Sequence, residues 1–332
     1  MRVLLSAHHQ YPADAPSGSG LQPKAFPSGS AIYLHDLLAQ GLAELGHDVR
    51  YLLPTGATGP LPPGVRLVAA PPGDEALDVD AYHTLLYTQS GEDPLGRLMQ
   101  SRGRAWLTTC HMDRRSRGME RQRLGPHAVY VSPSLAKTHG SERFVWNGLD
   151  PARYCYSERK QDYLLFVSAL DWAYDKGLGT ALAVAQRTGR RLVVAGTGRT
   201  QAIIDEVTSA CRAAGAECVG DVRGRARAEL YAEAMAVLLP TRLNEGCPLV
   251  IIESLLSGTP VVTSGAGGCA EMVEPALGFV CAAEDDYVRA VERVGDLSPA
   301  ACRRHAMERY HYLRMAADYV REYQVELDTV RA

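Results

Sequence analysis

The residues with the most chemical promise are two glutamates eight positions apart, in Pro240-Thr-Arg-Leu-Asn-Glu245-Gly246-Cys247-Pro248-Leu249-Val-Ile-Ile-Glu253. An apolar strand runs into a turn and then into a helix. Glu245 therefore precedes a helix whose first-turn amides have no intrahelical partner, and such an N-terminus attracts diphosphate or sugar oxygens. Glu253 follows about two helical turns later, on nearly the same face. Two carboxylates on one side of a helix, facing a cleft, can accept hydrogen bonds from vicinal hydroxyls. The alternative makes Glu245 a cap and Glu253 a solvent residue. Glu253 tells against it: Ile251, Ile252, Leu255 and Leu256 flank it, and a carboxylate inside an apolar face needs a partner. Lys176, in Asp171-Trp-Ala-Tyr-Asp-Lys176-Gly177-Leu, sets a compact ammonium at a helix start, a reasonable phosphate clamp; a solvated surface lysine is the other reading. His111 ends an apolar strand in Thr108-Thr-Cys-His111. Its ring could hydrogen-bond a hydroxyl without a special pKa, or it could simply cap or pack.

Alternating strands and helices must position these groups. Apolar runs predict strands at 3–6, 49–53, 65–69, 82–87, 105–110 and 128–131, and again at 163–167, 192–195, 217–219, 237–239, 260–263 and 279–281,. The clearest helix carries Ile32, Leu34, Leu37, Leu38, Leu42 and Leu45, with Ser30 as cap and Gly46 as stop,. Further helices are predicted near 176–188, 199–214, 225–234, 247–257 and 284–294, and the tail from 299 to about 329 reads as helical. Strand–helix–strand units of this size build parallel sheets. Two such doubly wound domains bind ligands at the carboxyl ends of their strands. One stretch breaks the rhythm: residues 8–29, rich in Gly, Pro and Ser, form a long connection at the end of the first strand. Long loops of this kind are often functional, and we expect a lid or substrate loop, with His8 and His9 able to face a second substrate.

The chain has 332 residues, 46% hydrophobic and 22% charged, with a formal net charge of −3. That length suits two domains of about 150 residues, and the composition excludes a disordered chain. Lys and Arg number 14 against 14 Asp and Glu up to residue 150, and 21 against 24 beyond it, so neither half is a basic nucleic-acid platform. Eight cysteines stand without C-x-x-C spacing, which argues against a zinc ribbon or redox dithiol and for reduced thiols in the cytoplasm. The apolar N-terminus stops at His8, too short for a signal peptide. No apolar stretch reaches the roughly 18 residues of a membrane span. Arg114, Arg115, Arg117, Arg121 and Arg123 read as a solvated face, or as a weak peripheral contact to a membrane surface or anionic acceptor. Asp78-Val-Asp80 fits a metal-binding D-x-D, but it precedes its strand, nothing nearby completes a site, and we read it as a polar loop.

The segment from Glu245 to Glu253 resembles the E-x₇-E signature of retaining glycosyltransferases of family 4, which have the GT-B fold. Other matches spread over most of the chain: Ser28-Gly29-Ser30, Gly46-His-Asp-Val49, Asn147-Gly-Leu-Asp150, Lys176-Gly177, Ala195-Gly-Thr-Gly198, Gly220-Asp-Val222 and Gly265-Ala-Gly267-Gly268 with Glu271. The resemblance implies two Rossmann-like domains. Residues 1–156 would form the acceptor side, 157–309 would bind the nucleotide sugar, and 310–332 would cross back to the first domain as a helix. It implies that Glu245 and His111 act at the transferred sugar. The amides of Gly246, Cys247, Pro248 and Leu249 would meet sugar and phosphate oxygens, and Glu253 the ribose hydroxyls. Lys176 and Gly29 would meet the diphosphate, Gly198 would line the donor turn, and Val222 would lie at the base. One motif departs: Val167-Ser-Ala169-Leu170 stands where the family has Gly-Arg, so either another arginine such as Arg199 supplies the second diphosphate cation or donor binding is weaker.

The implied activity is retaining transfer from a nucleotide-diphosphate sugar to an acceptor hydroxyl, without cofactor or metal and without nucleic acid as partner. A small natural product such as an antibiotic, or a glycan, would serve as acceptor. A GT-B nucleotide-sugar epimerase and a noncatalytic sugar-nucleotide-binding partner are the alternatives.

Overall fold

The computed structural model describes residues 1–7, 30–53, 57, 59–85, 93–113 and 124–331. The chain divides into two units at Leu149/Asp150, and the residues from Tyr310 onward return to the first. The first unit runs β1 (Arg2–Ser6), α1 (Ser30–Glu44), β2 (Asp48–Leu52), β3 (Val65–Val68), α2 (Asp74–Leu77), β4 (Ala81–Thr84), α3 (Pro94–Ser101), β5 (Ala105–Cys110), β6 (Ala128–Tyr130) and α4 (Pro133–Thr138). The second runs β7 (Tyr163–Val167), α5 (Leu178–Thr188), β8 (Arg191–Ala195), α6 (Gln201–Ala213), β9 (Glu217–Gly220), α7 (Gly224–Glu233), β10 (Ala236–Leu239), α8 (Leu249–Leu256), β11 (Val261–Ser264), α9 (Cys269–Met272), β12 (Gly278–Cys281), α10 (Glu284–Arg293) and α11 (Pro299–Arg309). The last helix, α12 (Tyr312–Arg331), belongs to the first unit.

Both sheets are parallel and six-stranded, ordered β3-β2-β1-β4-β5-β6 and β9-β8-β7-β10-β11-β12. Each is the Rossmann order, in which the direction of winding reverses between the first and fourth strands. In the second sheet that reversal falls between β7 and β10. Strands such as Tyr163–Val167 are buried along their whole length, as expected when helices cover both faces. Local signals set the helix ends. Asp93 accepts from the Leu95 and Gly96 amides ahead of Pro94, Ser132 accepts from Leu135, and Thr200 accepts from Ile203; each satisfies an otherwise orphaned donor.

The tail differs from the single helix expected over 299–329. It breaks at Tyr310 and His311, where Leu149 N–H donates to the Tyr310 carbonyl (2.8 Å) and Tyr312 N–H donates to the Leu149 carbonyl (3.1 Å). Beyond the break, α12 packs on the first sheet. The Tyr312 hydroxyl donates to Glu44 at 2.6 Å, the Gly148 amide meets the Met315 sulfur at 3.2 Å, and the Tyr319 hydroxyl lies 2.7 Å from the Thr109 hydroxyl. His83, fully buried on β4, bridges Tyr323 of α12 (2.7 Å) and Thr109 of β5 (2.8 Å). Met315, Tyr319, Tyr323 and Leu327 are buried, each contributing about 2 kcal/mol by removal from water.

Burial, with a small contribution from His111, lowers the His83 pKa from 6.5 to about 3. The unfolded chain therefore binds the extra proton, so this histidine's contribution to stability is complete above about pH 6.5 and drains away as pH falls. Urea unfolding is expected to show a loss of about 2 kcal/mol from His83 by about pH 5. His83→Gln should flatten that slope while lowering stability at neutral pH. An unchanged slope would assign the titration to another group.

Candidate active site

The loops after β7 and β10 leave the sheet at its winding reversal, where open α/β sheets bind ligands. Lys176 lies on the first and Glu245 on the second. Gly177 lets them approach: its φ is +91°, and a Cβ there would sit 2.1 Å from the Pro240 carbonyl oxygen, so no other residue fits. Lys176 Nζ forms an ion pair with Glu245 Oε1. The Thr241 hydroxyl donates to the same oxygen at 3.3 Å. The Gly267-Gly268 turn holds the backbone of Glu245. Gly268 N–H donates to the Glu245 carbonyl at 2.7 Å, and a Cβ on Gly267 (φ +57°) would stand 2.3 Å from that carbonyl oxygen. Lys176 keeps 17% and Glu245 8% of side-chain exposure, enough for a ligand to reach a pair that is otherwise enclosed. Burial, reinforced by the Glu245 charge, pushes the nearby Cys269 thiol up to about 12, so it is no nucleophile at neutral pH.

The expectation of two carboxylates along one helix face is corrected. Helix α8 starts at Leu249 with Pro248 as its N-cap, so Glu245 stands outside the helix on the rim. Glu253, in the second turn of α8, is buried at 2% exposure. The partner that an apolar face demanded is protein. Arg227 Nη2 donates to Oε2 at 2.7 Å, the Tyr231 hydroxyl to Oε2 at 2.6 Å, and the Tyr154 hydroxyl to Oε1 at 3.3 Å. Burial and the Glu253 charge raise the Tyr231 pKa well above 10, so it remains a donor. Sequence reasoning missed Arg227 and Tyr231. Their spacing of four on α7 was the available signal, since such residues share a helix face.

The remaining second-unit positions line the same carboxyl edge. Gly198 lies in the β8–α6 turn, and Val222 follows β9, half-buried. Gly246, Cys247 and Pro248 are buried, and Leu249 opens α8. Pro248 has no N–H, so of the four expected backbone donors Gly246, Cys247 and Leu249 remain. Arg199, a candidate second cation, holds Asp171 through Nε at 2.9 Å. Arg242, 73% exposed, reaches the Tyr174 carbonyl two residues from Lys176 at 3.2 Å.

In the first unit, His111 follows β5 and is half-buried. Desolvation lowers its pKa to about 4, so at neutral pH it is an uncharged imidazole with one donor and one acceptor. Asp78 and Asp80 stand at the amino edge of the sheet. Arg2 pairs with both, and Arg104 lies 3.4 Å from Asp78. Gly29, His8, His9, the 8–29 connection and the arginines from 114 to 123 lie outside the described residues. No helix among the described residues is long and apolar enough to cross a membrane.

Residues 161–296 match the family model described as Glycosyl transferases group 1. Glycogen synthase of Mycobacterium tuberculosis is 33% identical over 175 residues, 49% of this chain and 41% of that protein. The chain thus spans less than half the length of the curated relatives it matches. The crystal structure of AviGT4, a glycosyltransferase involved in avilamycin A biosynthesis, aligns over 98% of both chains with a TM-score of 0.73 and 28% identity. Anabaena Alr3699/HepE in complex with UDP and glucose aligns over 98% of this chain and 100% of that one, with a TM-score of 0.68 and 14% identity. The fold is GT-B, as the sequence motifs implied. Within it, residues 161–296 constitute a Glycosyl transferases group 1 domain.

Proposed function

We propose that the protein is a retaining glycosyltransferase, moving a sugar from a nucleoside-diphosphate sugar to an acceptor hydroxyl. The observation that carries this reading is the Lys176–Glu245 pair at the β7/β10 reversal, inside the group 1 domain. When the donor binds, the Lys176 ammonium exchanges Glu245 for the diphosphate and neutralises charge on the leaving group, aided by the amides before α8. Glu245, released, accepts hydroxyls of the sugar. Glu253 takes the ribose, and neutral His111 donates to or accepts from a sugar hydroxyl. The departing bond leaves a carbon of oxocarbenium character, and we favour front-face attack by the acceptor, because the motif residues offer no obvious nucleophile. A small natural product or a glycan is our choice of acceptor; the 28% identity to AviGT4 over nearly the whole chain supports the former. We assign the protein to the cytoplasm, in keeping with its eight free thiols.

Incubation with labelled UDP-sugars and a panel of acceptors tests the reading. Transfer with the anomeric configuration kept, undiminished by EDTA, is expected. Conversion of the donor to its epimer with no acceptor would favour an epimerase. Tight donor binding with neither transfer nor hydrolysis would indicate a noncatalytic partner. Activity lost to chelator and restored by Mg²⁺ or Mn²⁺ would overturn the metal-independent mechanism.

A further inference from the structure

Helix α7 presents Arg227 and Tyr231 one turn apart, and both donate to the same oxygen, Glu253 Oε2. The second oxygen, Oε1, receives the Tyr154 hydroxyl at 3.3 Å, a long contact. The two oxygens are thus unequally satisfied. Oε2 holds a charged donor and a phenol at short range, while Oε1 keeps accepting capacity. The guanidinium also stands 5.6 Å from the centre of the Tyr231 ring, which restrains it against the same face of α7.

We infer that Arg227 is the positioning residue for Glu253: by engaging Oε2 it holds the carboxylate turned so that Oε1 receives the ribose hydroxyls of the donor. The inference rests on the proposed ribose role of Glu253 and adds the residue that makes that role possible. Without Arg227, a carboxyl at 2% exposure faces two neutral hydroxyls. The carboxylate then loses its one charged, fork-shaped donor, and nothing fixes which oxygen faces the tyrosines, so the group can rotate. Arg suits the position better than Lys because its planar fork keeps a fixed direction while it stacks near an aromatic ring.

The readout is discrimination between ribose and deoxyribose, which a merely structural arginine would leave alone. Calorimetry would compare UDP with 2′-deoxy-UDP, and ADP with 2′-deoxy-ADP, on the full chain. The wild-type protein is expected to favour the ribonucleotide by about tenfold or more, the value of a hydrogen bond to a charged group. Glu253→Ala should erase the preference. Arg227→Met should bring it to within about twofold of unity, Arg227→Lys should keep part of it, and Tyr231→Phe should reduce it less than Arg227→Met. Arg227→Met that weakens both nucleotides alike, with the preference intact, overturns the inference and leaves the ribose role of Glu253 standing. Should Arg227→Met fail to fold, a wild-type preference retained in both Arg227→Lys and Tyr231→Phe overturns it equally. A wild-type protein that binds nucleotide without preferring ribose, or binds none of the four, overturns the ribose role itself and the inference with it.

Discussion

Glu245→Gln is expected to lower turnover by about 10²–10³-fold while free nucleoside diphosphate binds as tightly as before, or more tightly. The amide keeps the shape of the side chain and its contact with Thr241. It removes the charge that now holds Lys176. In the unliganded protein the diphosphate must compete with this carboxylate for the ammonium and must also approach a negative charge. Both costs vanish in the variant, so UDP affinity should rise by up to about tenfold. Turnover falls because the hydroxyl contacts that Glu245 makes as the glycosidic bond breaks are weakened at the moment they matter. Calorimetry with UDP alongside steady-state kinetics separates the two effects. A parallel loss of binding and turnover would sink the assignment, since Glu245 would then be only a scaffold for its loop.

Lys176→Ala should have the opposite profile. Nucleoside diphosphate affinity is expected to fall by about tenfold to a hundredfold, nucleoside monophosphate affinity to change little, and turnover to drop by about 10²-fold as leaving-group charge goes unmet. Because Lys176 and Glu245 touch, the double variant should not show the sum of the single effects. The gain in UDP affinity from Glu245→Gln should disappear once Lys176 is gone. If UMP and UDP weaken equally in Lys176→Ala, the lysine orders its loop and does not hold the diphosphate.

The sheets were readable from the sequence because parallel strands between helices are continuously apolar. Each of the twelve predicted runs overlaps one observed strand. Side-chain pairing across elements was harder to see. The burial of Glu253 followed from its apolar neighbours, but its partner lies 26 residues earlier on another helix, and no local pattern joins the two. The resemblance put a boundary at 309/310, where the chain does return to the first unit, but the residues themselves do not mark the break at Tyr310 and His311. Neither residue stops a helix by propensity; the break arises where the backbone leaves the helix to pair with Leu149. The Lys176–Glu245 contact was half visible: the motif placed both residues at loop ends, while their meeting depends on how closely the loops approach at Gly177 and Gly267.

The return of α12 to the first sheet has a consequence for how the protein is made. Residues 150–309 are contiguous and can close on themselves as soon as they leave the ribosome. The first sheet cannot finish: Tyr319 and Tyr323, which complete the buried polar cluster around His83 and Thr109, are translated only after the entire second unit. At ordinary elongation speeds the wait is on the order of ten seconds or more. During it, the side of β4 and β5 that α12 later covers is open, with His83 and Thr109 lacking their tyrosine partners, the kind of unfinished surface on which chaperones act. Premature termination near residue 309 would release a chain with one finished half and one permanently incomplete.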